Sequence, residues 1–196
     1  MKWITARGWR HAVPLLVLLL SQQACLKVEQ MELRVRPRPD GRVSGEVIYR
    51  GLYSSLDEDS LTLEEEFQQL VKEYLQGDAL ASDLPGWRML KRELFEDQGE
   101  LCGRLIFEGD NGEAVGLFQD KTCACAGWVL VPQDGDLNTL ISGDGIRTPY
   151  GMRWSLDHPE LTWVQRLDVI ERDDRSLLPT WQKWPGRKAK ATPAKR

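Results

Sequence analysis

The sequence predicts an α+β fold, a mainly antiparallel β-sheet with one amphipathic helix packed on it. Three observations carry that reading. Apolar and polar residues alternate over short runs along most of the chain. Turn residues recur between those runs, as Asp40-Gly41, Asp97-Gln98-Gly99, Asp110-Asn111-Gly112 and Gly143-Asp144-Gly145. Only one stretch, residues 61–76, has clear helical spacing. Frequent turns between alternating segments indicate antiparallel strands, and a lone apolar helical stripe needs a sheet to cover it.

The elements follow in order. Met31, Leu33 and Val35 share one strand face, with Glu32, Arg34 and Arg36 on the other. Pro37, Pro39, Asp40 and Gly41 make a turn, and Val43, Val47, Tyr49 and Tyr53 resume the apolar face. This is a long hairpin with one buried side. In 61–76, Leu63, Phe67, Leu70, Val71, Tyr74 and Leu75 form the helical stripe. Thr62 and Glu65 have capping-box spacing, Ser60 is an alternative cap, and Gly77 is a natural stop. The acidic run Glu64, Glu65 and Glu66 suits the positive end of the helix dipole, which explains it without a bound cation.

Residues 87–95 admit a helix starting after Pro85 and ending at Gly99, but the preferred reading is a strand turning at Asp97-Gln98-Gly99 into 101–107, where Leu101, Gly103, Leu105 and Phe107 alternate with Cys102 and Arg104. Asp110-Asn111-Gly112 predicts a further hairpin, with 113–118 as its return strand. Trp128 to Val131, 137–141, 147–156 and 161–167 complete the expected strands, the last two joined at Asp157-His158-Pro159. Beyond residue 172 the periodicity fades, and Lys183, Arg187, Lys188, Lys190, Lys195 and Arg196 make the end basic. The expected division is a leader over 1–24, one β-rich domain over 25–172 and a disordered basic tail over 173–196.

Composition is that of an ordinary globular protein, 41% hydrophobic and 29% charged, and the net charge of −4 argues against a general nucleic-acid binder. The chain after the leader is long enough for a single well-formed core.

Lys2, Arg7 and Arg10 precede a short apolar run, 13–20, and a polar step to Ala24-Cys25. That is the layout of an export signal, and the run is too short for the roughly 20 residues of a spanning helix. The segment Leu20-Ser21-Gln22-Gln23-Ala24-Cys25 resembles the lipobox of bacterial lipoproteins. The resemblance implies cleavage before Cys25 and lipid on that residue. Ala24 matches the small residue before the cysteine, whereas Gln22 stands where Leu is usual. A secreted or periplasmic form with Cys25 unmodified is the alternative.

With Cys25 lipidated, Cys102, Cys123 and Cys125 remain. An oxidising compartment favours one disulfide, from Cys102 to either Cys123 or Cys125, because a bridge across the single residue Ala124 is strained. Without lipid, two disulfides become possible. The three cysteines with His158 also have the chemistry of soft metal ligands, but the compartment favours the disulfide, and no metal or cofactor is assigned. His158, the one histidine after the leader, sits in a turn beside Asp157 and Ser155. Neighbours in sequence do not make a triad, so no catalytic residue is assigned. Asp134, Asp136 and Asn138 open like a calcium loop, but Thr139 and Gly145 occupy the positions of its Gly and Glu, and a turn explains them better. The six tryptophans after the leader suit core packing or a binding groove.

Cys25-Leu26-Lys27-Val28-Glu29-Gln30, followed by Arg38-Pro39-Asp40-Gly41-Arg42-Val43-Ser44-Gly45, is similar to the opening of the LppM-type lipoproteins. Gly86-Trp87 and the strand to Phe95 suit that pattern too. The resemblance covers about the first half of the domain. It implies a location and a fold, with no assigned catalytic site.

The expectation is a non-enzymatic envelope lipoprotein, tethered to the membrane through lipid on Cys25, with a binding or structural role. Its partner would be an envelope protein or an apolar ligand, and not nucleic acid. Leu26 in place of an inner-membrane retention Asp favours the outer membrane. A carrier holding an apolar ligand between helix and sheet, and a cysteine metal or redox protein, are the alternatives.

Overall fold

The structure, a computed structural model, describes residues 26–55, 61–80, 84, 86–121, 126–132 and 139–187. It is mainly antiparallel sheet with helix packed on it, as the periodicities predict. The strands are divided between two sheets. The first hairpin is β1 (Leu26–Pro37) and β2 (Val43–Ser54), in register from Pro37 opposite Val43 to Leu26 opposite Ser54. The second is β3 (Trp87–Asp97) and β4 (Glu100–Gly109), closed by Gln98 at φ 52° and Gly99 at φ 84°. Two left-handed turn residues give the twist a tight hairpin needs.

There follow β5 (Leu117–Asp120), β6 (Gly127–Leu130), β7 (Leu140–Gly143), β8 (Ile146–Thr148), β9 (Gly151–Ser155), β10 (Leu161–Arg166) and β11 (Arg175–Ser176). The larger sheet has the order β3-β4-β2-β1-β10-β7, with β11 beside the end of β2. The smaller has the order β5-β6-β9-β8. β1, the first described element, is thus an interior strand.

Helix α1 (Leu63–Gln69) continues into a π-helical segment, Leu70–Leu75. Its start is the expected capping box: Thr62 accepts from the Glu65 amide, and the Glu65 carboxylate accepts from the Thr62 amide at 2.9 Å. Phe67, Leu70 and Val71 are its buried stripe.

One face of the large sheet is covered in two parts. Leu101, Leu105 and Phe107 stand an even number of residues apart along β4, so they point the same way. Leu105 and Phe107 pack with Leu33, Trp163 and, from the small sheet, Leu117, Trp128, Leu130 and Trp154. Leu101 packs instead with Phe67, Leu70, Val71, Leu177 and Trp181. The small sheet therefore covers the end near the β1–β2 turn, and the helices cover the end near Leu26.

Four sequence expectations need correction. The first concerns Tyr53. Burial in β1 passes from Leu26 and Val28 to Met31, Leu33 and Val35, and in β2 from Val43 and Val47 to Leu52 and Ser54. Both strands shift phase at the level of Gly51, whose φ of 65° rotates the chain. Leu52 and not Tyr53 turns inward as a result.

The second concerns Asp110-Asn111-Gly112, which does not close a hairpin. Both edges of β4 are already taken, by β2 and β3, so no returning strand can pair with it. The Asn111 side chain accepts from the Glu113 amide, and Gly112 O accepts from the Val115 and Leu117 amides. The chain winds through a 3-10 turn, Glu113–Val115, into the other sheet.

The third is the single strand expected over 147–156. It is a hairpin, β8 and β9, broken at Pro149, which has no amide hydrogen for a ladder.

The fourth is the tail. Arg175 and Ser176 pair with Ser54 and Tyr53 as β11, and helix α2 (Leu178–Lys183) follows. Leu177 is fully buried and Trp181 is 7% exposed. A two-residue strand and a six-residue helix are too short to show periodicity, so tertiary burial and not local pattern orders this segment. The basic residues from Lys188 onward lie outside the described residues.

Candidate functional site

At the tip of the β1–β2 hairpin, the end remote from Leu26, three chain segments enclose a groove of about 500 Å³. Arg38 and Arg42 come from the hairpin loop, Trp87 and Arg88 from the start of β3, and Glu108 to Asp110 from the end of β4. Register brings them together: Val43 lies opposite Gly109, which lies opposite Trp87. The loop is held by the Arg38 amide donating to Arg42 O at 2.8 Å and the Gly41 amide donating to Arg38 O at 3.0 Å.

Trp87 makes one wall. Its ring stacks on Phe107 and lies over Gly109, where a Cβ would stand 2.5 Å from it. Its Nε1 donates to Asn111 O at 3.1 Å, and the Asp110 amide donates to Gly86 O at 3.1 Å. The segment expected to be a hairpin turn is therefore the brace of this wall.

The charges are arranged unevenly. Glu108 accepts from Arg38 Nη2 at 3.0 Å on Oε1 and from Arg88 Nη2 at 2.6 Å on Oε2. Arg88, with Arg38 on the other oxygen, holds the Glu108 carboxyl below its usual range. Arg42, in the groove lining, pairs with exposed Asp40, which lies outside it.

The outer face of the large sheet carries paired charges. Glu32 joins Arg34 at 2.6 Å and Arg50 at 3.3 Å, and Arg50 reaches Asp97 at 2.7 Å. Arg104 joins Glu46 at 2.6 Å and Glu93 at 2.8 Å, while lying 4.7 Å above the Phe95 ring. Opposite charges on cross-strand neighbours suit a solvated face.

A second polar cluster centres on Asp144, after β7. Its Oδ1 accepts from Trp154 Nε1 at 2.6 Å and the Thr162 amide at 2.9 Å. Its Oδ2 accepts from Thr162 Oγ1 at 2.7 Å and lies 3.3 Å from His158 Nε2. His158 meets an acid, as a catalytic histidine would, but the acid is Asp144 and not its neighbour Asp157. With Trp154 and Thr162 also bound to it, Asp144 is a brace between the sheets.

Of the predicted site residues, Cys102 is buried on β4 with a free thiol. Burial raises its pKa, against the smaller effects of the Gly51 amide and Arg50. Cys25, Cys123 and Cys125 lie outside the described residues, as do Asp134, Asp136 and Asn138. Among the described residues, no three His, Cys, Asp or Glu side chains gather in a way that could hold a metal ion. The groove arginines were not legible as a set. Arg38 and Arg42 flank a visible turn, but Arg88 and Glu108 are twenty positions apart and meet only through strand register.

Comparison of the chain with protein families, with curated proteins and with solved structures returned no match.

Proposed function

We propose that this chain is a non-enzymatic lipoprotein of the bacterial envelope, tethered through Cys25 and acting by binding or by supporting an assembly. The observation that carries the reading is the position of β1. The strand starts at Leu26, next to the cysteine that ends the lipobox-like segment, and runs through the interior of the large sheet. An acyl group on Cys25 would hold the sheet at the membrane with no intervening linker. The twelve residues of β1 then carry the hairpin tip roughly 35 Å away. No described helix is long and apolar enough to cross a membrane.

A binding role is favoured over a carrier of apolar ligands. The interface between helices and sheet holds Phe67, Leu101 and Leu177, all fully buried, which is the packing of a core. Leu26 after the cysteine favours the outer membrane as the destination.

The test is the intact mass of the protein purified from its host membranes, beside a Cys25→Ala variant. The expected result is a chain beginning at Cys25 that carries acyl groups, absent from the variant. An unmodified chain in the soluble fraction would overturn the tether.

A further inference from the structure

We propose that the groove at the hairpin tip is a binding site for a compact oxyanion, a carboxylate or phosphate group of a ligand, gripped between Arg38 and Arg88 with Arg42 at the rim. The inference needs only the groove and stands apart from the lipid tether.

Three arginines and two carboxylates, Glu108 and Asp110, line the groove. Glu108 serves two guanidinium groups at once, one per oxygen, and each arginine approaches it through Nη2 alone. A guanidinium has five donors and pairs best through two parallel bonds. The Glu108 contacts therefore engage one nitrogen of each guanidinium and leave the other donors to a ligand. The side chains of Arg38 and Arg88 are 40% and 73% exposed, so solvent or a ligand reaches them. Arg42 pairs with exposed Asp40, a solvent-screened ion pair that a ligand exchanges readily.

The floor leaves room for the ligand. Gly86, at φ 80°, presents no side chain, and Trp87, lying over Gly109, is fixed by its stack and its bond to Asn111. About 500 Å³ exceeds a lone oxyanion and admits a body attached to it. Glu108 and Asp110 add a selective element. They leave the lining with one net positive charge, which suits one compact anionic group and disfavours a polyanionic chain.

The experiment uses the full chain in detergent, labelled with nitrogen-15, and follows the Trp87 indole N–H resonance, assigned with Trp87→Phe. N-acetylglycine and inorganic phosphate are titrated separately against sodium chloride at matched ionic strength. The expected result is a saturable shift with at least one probe, and the arm that saturates identifies carboxylate or phosphate. Arg38→Gln and Arg88→Gln should each weaken it by about tenfold, the loss expected for one charged hydrogen bond. Arg153→Gln, in the small sheet, should leave it unchanged. If a glutamine variant fails to fold, Arg38→Lys and Arg88→Lys replace it and should weaken binding by removing the fork while keeping the charge. Shifts that match chloride, or that survive unchanged in the folded Arg38 and Arg88 variants, would overturn the site.

Discussion

Trp87 lies flat on Phe107, ring centroids 3.8 Å apart and planes within 10° of parallel. The stack depends on two glycines. Phe107 stands opposite Gly45, and Trp87 opposite Gly109, so each ring crosses a neighbouring strand where no side chain intervenes. A Cβ on Gly109 would come within 2.5 Å of the indole, and one on Gly45 within 3.0 Å of the Phe107 ring. Removing the indole with Trp87→Ala should cost about 3–4 kcal/mol, the usual loss for a large buried aromatic. Gly109→Ala should cost about 1–3 kcal/mol by overpacking. The two should not add: in a Trp87→Ala background, Gly109→Ala should cost little, because its steric partner is gone. Urea unfolding of the four proteins of this cycle measures the coupling, and strict additivity would show that the indole does not oppose the Cβ.

Gly51 sets the phase of the first hairpin. At φ 65°, with Glu29 Cβ 3.0 Å from where a side chain would begin, it tolerates substitution poorly. Gly51→Ala should destabilise by about 1–2 kcal/mol from backbone strain alone, and Gly51→Val by more, since branched side chains suit this region least. Gly51→Asn should be the mildest of the three. Thermal unfolding should rank them in that order, and a neutral Gly51→Val would mean the phase shift does not require a left-handed residue.

The segment after Asp174 belongs to the core. Trp181 is 7% exposed and packs in the cluster of Phe67 and Leu101. Trp181→Ala should cost about 3 kcal/mol, as for other buried aromatics. Deleting the chain from Leu177 onward should cost more, because Leu177 goes with it. Unfolding midpoints unchanged by either would return this segment to the status of a tail.

Asp144 gives a pH dependence of known sign. Burial raises its pKa, but the Thr162 amide, the Trp154 indole, the Thr162 hydroxyl and His158 together outweigh that and hold it below its ordinary value. A depressed carboxyl stabilises the fold above its unfolded pKa of about 3.9, and the contribution is lost as pH falls through the lower folded value. Asp144→Asn should therefore reduce stability at neutral pH and show a shallower decline below about pH 4. Urea midpoints across that range test it. Parallel curves for the two proteins would show that Asp144 is not a source of acid lability.

Cys102 should be slow to react. It is fully buried and its thiol pKa is raised, both of which suppress the reactive thiolate. With Cys102 a free thiol and not the disulfide partner expected for Cys123 or Cys125, iodoacetamide without reductant, followed by mass spectrometry, should label it readily in urea and hardly at all in the native protein. Rapid native labelling would place it nearer solvent than its burial implies.

The sequence by itself determined the class of fold, the first hairpin, the capped start of α1 and the β3–β4 turn. These depend on residues close along the chain: alternation reports which side of a strand is buried, a Thr and a Glu three apart form a capping box, and Gln98-Gly99 accepts left-handed backbone. The tertiary structure decided the rest. It turned Asp110-Asn111-Gly112 away from a hairpin because β4 had no free edge. It drew Leu177 and Trp181 into a core that their own short elements could not have built. It gathered Arg38, Arg42, Arg88 and Glu108 around one groove. Local periodicity encodes which face of an element is apolar. Which edges are already paired, and which distant side chains share an end of the sheet, follow only when strand order and register are set.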